Sequence, residues 1–189
     1  MLWGDWRECN NLLLLILVTY TENIFILGGT KMKSVYLASP FFSPAQKERI
    51  AKVKAALSNN KTIDPKNIFI PHEHEYKAAE FGSFEWQKAT FGLDTNQIDA
   101  SDVVVAIVDY KLEETKENEP DSGTAFEIGY AYATKTPVIV VQFDPEKEVN
   151  LMIAQGLTAY FDVTKEGLAA LEEYDFDELM PKFCPRPVI

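Results

Sequence analysis

Two runs of apolar residues constrain the fold of this 189-residue chain more than any other feature. Residues 102–109 read DVVVAIVD and residues 137–143 read PVIVVQF, without the alternation of apolar and polar residues that marks a half-exposed strand. Continuous β-branched runs of this length are typical of central strands in a parallel sheet, which helices cover on both faces. We therefore expect a sheet in the middle of the molecule with helices on either side.

The rest of the chain from Met32 onward alternates short strands with helices. We predict further strands over residues 34–38, 67–71 and 157–161, helices over residues 45–57, 84–98, 121–134 and 165–174, and loops over residues 73–82 and 111–120. This order predicts βαβ units, and the expected fold class is α/β: a three-layer, doubly wound, flavodoxin-like sheet of about five mainly parallel strands. Ligands of such sheets bind beyond the carboxyl ends of the strands, so we expect the site after Ala38, Pro71, Asp109 and Phe143.

The first 31 residues do not fit this pattern. The apolar run at residues 12–18 is shorter than the roughly 20 residues that span a bilayer, and the residues before it lack the positive charge of a signal peptide. Residues 27–32 could be encoded by a purine-rich ribosome-binding site just before a start codon. We therefore expect one domain at residues 32–189, preceded by a non-native or disordered extension; the alternative is a genuine N-terminal strand or helix that packs on the domain.

Charge and motif content exclude several functional classes. The chain has 18 basic and 29 acidic residues, a net charge of −11, which argues against nucleic-acid binding and against docking on an anionic membrane, but not against uncharged nucleosides. No phosphate-binding glycine motif and no GxSxG elbow is present, and we expect no cofactor. Cys9 and Cys184 form no CxxC motif and the histidines are His72 and His74, so we expect no metal site and a reducing cytoplasm as the compartment.

The segment DSGTAFEIGYA, at residues 121–131, is the richest in candidate chemistry. Asp121 follows a proline and is a natural N-cap, and helical side chains lean toward the N-terminus, so Glu127 should lie over the first turn. Gly123 leaves room there for a ligand, and the helix start favours the ionised form of a nearby carboxylate, as suits a nucleophile. The neighbours of Glu127 are apolar nearly all round the helix, which predicts a buried helix and a buried, functional carboxylate.

Three other residues are ambiguous when each is taken alone. Asp94 near the end of a predicted helix could be an ordinary surface acid, and Tyr36 in the first strand could be an ordinary core aromatic. Asn150 follows the charged turn DPEKE, and a helix cap is the simpler interpretation of it.

The order of these features resembles a known family. Tyr36 lies on the first strand, Leu93-Asp94 before the third, and the run DSGTAFEIGYA is followed by Asn150-Leu151-Met152. This set is similar to the nucleoside 2-deoxyribosyltransferase family over residues 33–161. The resemblance implies transfer of a 2-deoxyribosyl group between purine and pyrimidine bases in nucleoside salvage, with deoxynucleosides and free nucleobases as the partners.

The resemblance also implies roles for individual residues. Glu127 would be the nucleophile, Tyr36 would hydrogen-bond to it, and Asp94 would be the acid at the departing base. The substrate-binding residues would be Asp121, Asn150, Met152, Phe41, Phe42, Gly123 and Glu75. Asn150 would reach a neighbouring subunit's site, which implies a homo-oligomer with shared active sites. Glu75 stands where some members have an amide, and the tail CPRPVI does not end in an aromatic residue as in some members.

The chemistry is also reasonable without the family. The C1′ atom of 2-deoxyribose ionises readily, a carboxylate can trap it as an ester, and attack by a second base from the same side gives retention. Glu127, Asp94 and Asp121 cannot all stay ionised comfortably in one cluster, so one pKa should rise and supply a proton donor. Two alternatives stay open: a deoxynucleoside 5′-monophosphate N-glycosidase, whose substrate phosphate Asp121 would repel, and a non-catalytic nucleotide-binding module on the same fold.

Overall fold

A computed structural model describes residues 31–108, 120–144 and 148–185. Its strands are β1 (Lys33–Ala38), β2 (Ile63–Phe69), β3 (Val103–Ile107), β4 (Val138–Gln142) and β5 (Ala159–Asp162). They form one sheet in the order β2-β1-β3-β4-β5, and every neighbouring pair is parallel. The α/β fold with a five-stranded parallel sheet is therefore confirmed.

Helices flank the sheet. They are α1 (Pro44–Asn59), α2 (Phe84–Ala100), α3 (Ser122–Thr134), α4 (Leu151–Gly156), α5 (Val163–Glu166) and α6 (Ala169–Glu172), with a short 3-10 helix at Pro71–Glu73. The starts of the three long helices agree with their sequences, because Ser43, Ser83 and Asp121 each accept a hydrogen bond from the backbone of the first turn. In the described part of the chain, no helix combines the length and hydropathy that a membrane crossing requires.

The core lies in two layers, one on each face of the sheet. Because side chains alternate along a strand, Val35 and Leu37 of β1 pack on one side, with α1 and α6, whereas Tyr36 and Ala38 face α2, α3 and α4. The three-layer arrangement therefore directs Tyr36, which is fully buried, toward the helix that carries Glu127.

Two elements differ from the sequence prediction. Strand β2 begins at Ile63, four residues before the predicted start, because Ile63 pairs with Lys33 ahead of a register irregularity that accommodates the polar segment after it. The predicted helix at residues 165–174 is two short helices, α5 and α6, which are separated at Gly167 with a φ of 68°.

The expectation that the helix of Glu127 is buried nearly all round is wrong. Its inner face, with Ile128 and Ala131, is buried, but Phe126 is 48% exposed and Tyr132 is 57% exposed. Helix α3 therefore has one apolar face in the core and a second apolar face in contact with solvent. The expectation for the N-terminal extension lies, apart from Lys31, outside the described residues, as does most of the predicted loop at residues 111–120.

Candidate active site

A cleft of about 540 Å³ opens at the carboxyl end of the sheet. Its walls are the segments after β1 and β2, one side of α2 and the first turns of α3; its lining residues are Ser39, Pro40, Phe41, Phe42, Lys47, Pro71, His72, His74, Glu75, Phe81, Trp86, Thr90, Asp94, Asp121, Gly123, Thr124 and Glu127. The predicted positions after Ala38 and Pro71 are therefore in the cleft. Residues 109–119 and 145–147 lie outside the described residues, and none of the described residues from Asp144 to Asn150 is among those that line the cleft.

The carboxyl of Glu127 is held by a tyrosine from the central sheet. The Tyr36 hydroxyl donates a hydrogen bond to Oε1 of Glu127 at 2.5 Å, although the two residues are 91 positions apart in the chain. The ring of Tyr36 stacks on Phe69 of β2, with 5.6 Å between centroids and an interplanar angle of 18°. This packing fixes the hydroxyl, and through it one oxygen of Glu127.

Burial controls the protonation of the carboxyl pair. Burial raises the pKa of Glu127 to about 7; the Tyr36 hydrogen bond opposes this rise, and the charges of Asp94 and Asp121 add to it. Burial also raises the pKa of Asp94, to about 6. Two carboxyl pKa values rise where the sequence predicted one, and burial outweighs the helix start that was expected to keep Glu127 ionised. Near pH 6 to 7 the two carboxyls can therefore hold one proton between them.

Asp121 lies at the start of α3, as predicted. It is buried, and its Oδ2 accepts hydrogen bonds from the backbone N–H of Thr124 at 3.0 Å and from the Thr124 hydroxyl at 3.3 Å. Gly123 lines the cleft beside it, and a Cβ on this glycine would lie 3.0 Å from Oδ2 of Asp121. The missing side chain thus leaves room for the capping carboxylate as well as for a ligand.

Aromatic rings form the opposite wall. Phe41 stacks on Phe42 at 5.1 Å and on His72 at 5.2 Å, while His74 stacks on Phe69 at 4.3 Å and an interplanar angle of 10°. Burial lowers the pKa of His72, which favours the neutral imidazole. A planar, largely uncharged wall of this kind suits a flat heterocycle better than a phosphate or a peptide.

The sequence and the architecture match one family. A family model for nucleoside 2-deoxyribosyltransferase matches residues 35–180. The nucleoside deoxyribosyltransferase of Limosilactobacillus fermentum is 31% identical over 163 residues, which are 80% of this chain and 90% of that protein. The nucleoside deoxyribosyltransferase of Lactobacillus leichmannii is 27% identical over 129 residues, 64% of this chain and 78% of that protein. Among solved structures, the 2-deoxyribosyltransferase of Bacillus psychrosaccharolyticus is 33% identical with a TM-score of 0.66, and the match covers 80% of this chain and 98% of that one.

The chain belongs to the nucleoside 2-deoxyribosyltransferase family. The resemblance noted in the sequence is thereby confirmed, and the chain is a transferase. The structure brings Tyr36, Asp94 and Glu127 together: Asp94 and Glu127 line the cleft, and the buried Tyr36 bonds to Glu127 from the sheet.

Two of the predicted site residues lie elsewhere in this deoxyribosyltransferase. Asn150 caps α4, where its Oδ1 accepts a hydrogen bond from the backbone N–H of Met152 at 2.9 Å. Both residues are exposed, Met152 to 79%, and neither lines the cleft of its own chain. The cap interpretation of Asn150 is correct, and a substrate role for Asn150 and Met152 stays a prediction that requires a second subunit.

Sequence reasoning missed several residues of the cleft in this family member, above all Trp86 and Thr90. Their signal was present in the spacing, because Trp86, Thr90 and Asp94 lie four residues apart and so share one face of a helix. The sequence assigns no site role to His72 and His74, which enter only the argument against a metal site, whereas in the structure they stack on aromatic rings.

Proposed function

We propose that this enzyme transfers the 2-deoxyribosyl group between nucleobases through a covalent ester on Glu127, with retention at C1′. The observation that carries the proposal is the carboxyl of Glu127, which lines the cleft, accepts the Tyr36 hydroxyl at 2.5 Å and lies within the electrostatic influence of Asp94. Deoxynucleosides and free nucleobases are the proposed substrates.

The reaction has two steps with matched proton movements. In the first, an oxygen of ionised Glu127 bonds to C1′, the glycosidic C–N bond breaks, and the departing base takes the proton of Asp94. In the second, a nitrogen of the incoming base bonds to C1′, the ester bond breaks, and Asp94 recovers the proton that the incoming base loses. Two inversions at one carbon give net retention, as in retaining glycosidases.

The raised pKa values leave one proton on the pair near pH 6 to 7. Because the pKa of Glu127, about 7, lies above that of Asp94, about 6, the proposed reaction uses the less populated form, in which Asp94 holds that proton. A carboxyl with a pKa of about 6 can hold a proton near neutrality, where an ordinary aspartate would not. The hydrogen bond from Tyr36 stabilises the carboxylate form of Glu127 against its burial. The same hydrogen bond occupies Oε1, so we assign the attack on C1′ to the other oxygen, Oε2.

The remaining predicted residues fit the two halves of the substrate. We assign Asp121, whose charge acts on Glu127, to the sugar hydroxyls, with Gly123 leaving space for the ligand. Phe41 and Phe42 offer flat faces to the base, and Glu75 lines the same cleft.

A homo-oligomer is the proposed working unit. Large apolar side chains on α2, α3 and α4 are about half exposed or more; they are Phe91, Phe126, Tyr132, Leu151 and Met152. Exposed apolar patches of this kind mark protein interfaces, and the patch includes the residues next to Asn150. A second subunit on this face would bury the patch and could carry Asn150 and Met152 into a neighbour's cleft.

Mixing of inactive variants tests the shared site. Glu127→Ala subunits and Asn150→Ala subunits, each inactive alone, should regain activity when they exchange, because a mixed pair assembles one intact site. Absence of rescue in subunits shown to exchange would mean that each site is built from one chain.

The activity itself is tested with thymidine and adenine. Formation of β-configured deoxyadenosine, followed by chromatography and proton NMR, is the expected result, and mass spectrometry of quenched enzyme should find a deoxyribosyl adduct on the peptide with Glu127. Glu127→Gln should abolish both signals, whereas Glu85→Gln, at an exposed acid of α2, should leave them intact. Hydrolysis of a deoxynucleoside 5′-monophosphate in preference to transfer, or binding without turnover, would favour one of the alternative functions.

A further inference from the structure

Two polar atoms on the cleft wall are shielded from solvent and unpaired. The indole N–H of Trp86 and the hydroxyl of Thr90 have no hydrogen-bond partner among the described residues. Both side chains line the cleft. Buried polar groups in native proteins are nearly always paired, and each exception needs a physical explanation.

Other polar groups on the same helix are satisfied. The Thr95 hydroxyl donates to the carbonyl oxygens of Phe91 at 2.9 Å and Gly92 at 3.3 Å, and the Ser101 hydroxyl donates to Gln97 at 2.8 Å. A threonine hydroxyl in a helix can thus donate a hydrogen bond to a backbone carbonyl of the preceding turn of the same helix. The hydroxyl of Thr90 does not use this bond, although the same geometry is open to it.

The two unpaired donors form a stripe with Asp94. Residues four apart lie on one helix face, with about 6 Å of rise between them, so Thr90 lies about one turn and Trp86 about two turns beyond Asp94. All three line the cleft, and Asp94 is the member that acts on Glu127. A base bonded to a sugar at Glu127 would extend past Asp94 and along this stripe.

We propose that Trp86 and Thr90 are base-recognition residues, which donate hydrogen bonds to acceptor atoms on the edge of the nucleobase. This inference rests on the proposed function, because it assigns the base half of that substrate to one wall of the cleft. An indole N–H can only donate, so its partner is a ring nitrogen or a carbonyl oxygen of the base. The hydroxyl of Thr90 can donate or accept and therefore tolerates both amino and keto substituents.

Phe81 packs against the indole of Trp86. Its ring lies 4.6 Å from the Trp86 ring and is 74% exposed, so few contacts hold it in place. In the proposal this ring moves aside as the base enters, and it then covers the base from solvent.

Isosteric removal of each donor tests the inference. Trp86→Phe and Thr90→Val should each raise KM for the acceptor base about tenfold, the loss expected for one hydrogen bond, with little change in kcat. Because each variant removes an unpaired buried donor, its melting temperature should stay level or rise. Thr95→Val, which removes a satisfied hydroxyl from the same helix, is the matched control and should leave KM unchanged.

Purine analogues then identify the acceptor. Adenine, 3-deazaadenine and 7-deazaadenine differ in one ring nitrogen at a time. If Trp86 donates to that nitrogen, Trp86→Phe should lose its effect on KM with the analogue that lacks it. An effect of Trp86→Phe that is equal for all three purines would contradict donation to N3 or N7 and leave N1 as the ring nitrogen that accepts from the indole.

The outcomes separate this inference from the proposed function. Two results would overturn base recognition while the transfer reaction of the wild type still holds. In the first, both variants keep the wild-type KM; in the second, each variant has a raised KM together with a lowered melting temperature, which indicates a structural role. Calorimetric binding of adenine alone needs no chemistry. If the wild type binds adenine without transferring deoxyribose, and both variants bind it about tenfold more weakly, base recognition holds and the proposed reaction fails.

Discussion

Removal of the Tyr36 hydroxyl should move the pH optimum of the enzyme upward. Tyr36→Phe deletes the hydrogen bond to Oε1 of Glu127 without changing the shape of the ring that stacks on Phe69. Burial and the neighbouring carboxyl of Glu127 raise the pKa of Tyr36, so the phenol stays protonated and donates throughout the working range. The bond stabilises the ionised form of Glu127, and its loss must therefore raise the pKa of Glu127.

The size of the shift follows from the strength of the bond. A hydrogen bond to a charged group contributes about 1.5–3 kcal/mol, and one pKa unit corresponds to about 1.36 kcal/mol, so the pKa of Glu127 should rise by about 1–2 units. In the proposed reaction the productive form has Glu127 ionised and Asp94 protonated, and the optimum of kcat/KM then lies midway between the two pKa values. The optimum should therefore rise by about 0.5–1 unit, with a loss of about 5- to 50-fold in the peak value.

The assay is kcat/KM for thymidine, with saturating adenine, from about pH 5 to pH 9. Tyr174→Phe makes the same chemical change at a hydroxyl that donates to the Met180 carbonyl away from the cleft, and it should leave the profile unchanged. An optimum that stays in place or moves toward acid in Tyr36→Phe would refute the assigned role of the hydrogen bond, even if the rate falls.

Three further predictions concern stability and assembly. The pKa of Glu127 rises from 4.5 to about 7 on folding, so the folded state loses stability as the pH rises from about 4.5 to about 7. In urea denaturation, the free energy of unfolding of Glu127→Gln should therefore exceed that of wild type by roughly 3 kcal/mol at pH 8 and equal it at pH 4. Gly123→Ala should displace the carboxylate of Asp121 that caps α3, which should lower the free energy of unfolding by about 1 kcal/mol and raise KM for the donor nucleoside. Gly129→Ala, with open space around the new Cβ, is the control and should leave stability unchanged or raise it. Met152→Asp should lower the mass measured by light scattering, and Met180→Asp, at a residue 63% exposed on another segment, should not.

The layers of the fold could be predicted from the sequence because a strand that is buried on both faces appears as a continuous run of apolar residues. The strands β3 and β4 are short, continuous and fully buried, as the runs at residues 102–109 and 137–143 indicated. Strand β2 was harder, since residues 64–67 are polar and its pairing with β1 is irregular. The two faces of α3 could not be distinguished, because the residues that meet the core and those that meet solvent are both apolar.

The site was predictable only in part, for a different reason. Glu127 could be singled out from its own neighbours, but its pairing with Tyr36 depends on a crossover that joins positions 91 residues apart. The resemblance to a family supplied that link. The spacing of Trp86 and Thr90 with Asp94 predicts a shared helix face, but a tryptophan and a threonine on such a face are ordinary core residues in most proteins. The unpaired state of their polar atoms, which only the structure shows, distinguishes them.

The electrostatics of the cleft suit the charge that the proposed reaction would create. Within the part of the chain that the structure describes, no ion pair involves Glu127, Asp94 or Asp121, and no hydrogen bond joins Lys47 to them, although Lys47 lines the cleft. A lysine or arginine paired with these acids would lower their pKa values and remove the proton donor. It would also oppose the positive charge that develops on the sugar as the C–N bond breaks. Tyr36 avoids both effects, because its neutral hydroxyl orients one oxygen of Glu127, the proposed nucleophile, and stabilises the carboxylate charge while adding no positive charge of its own.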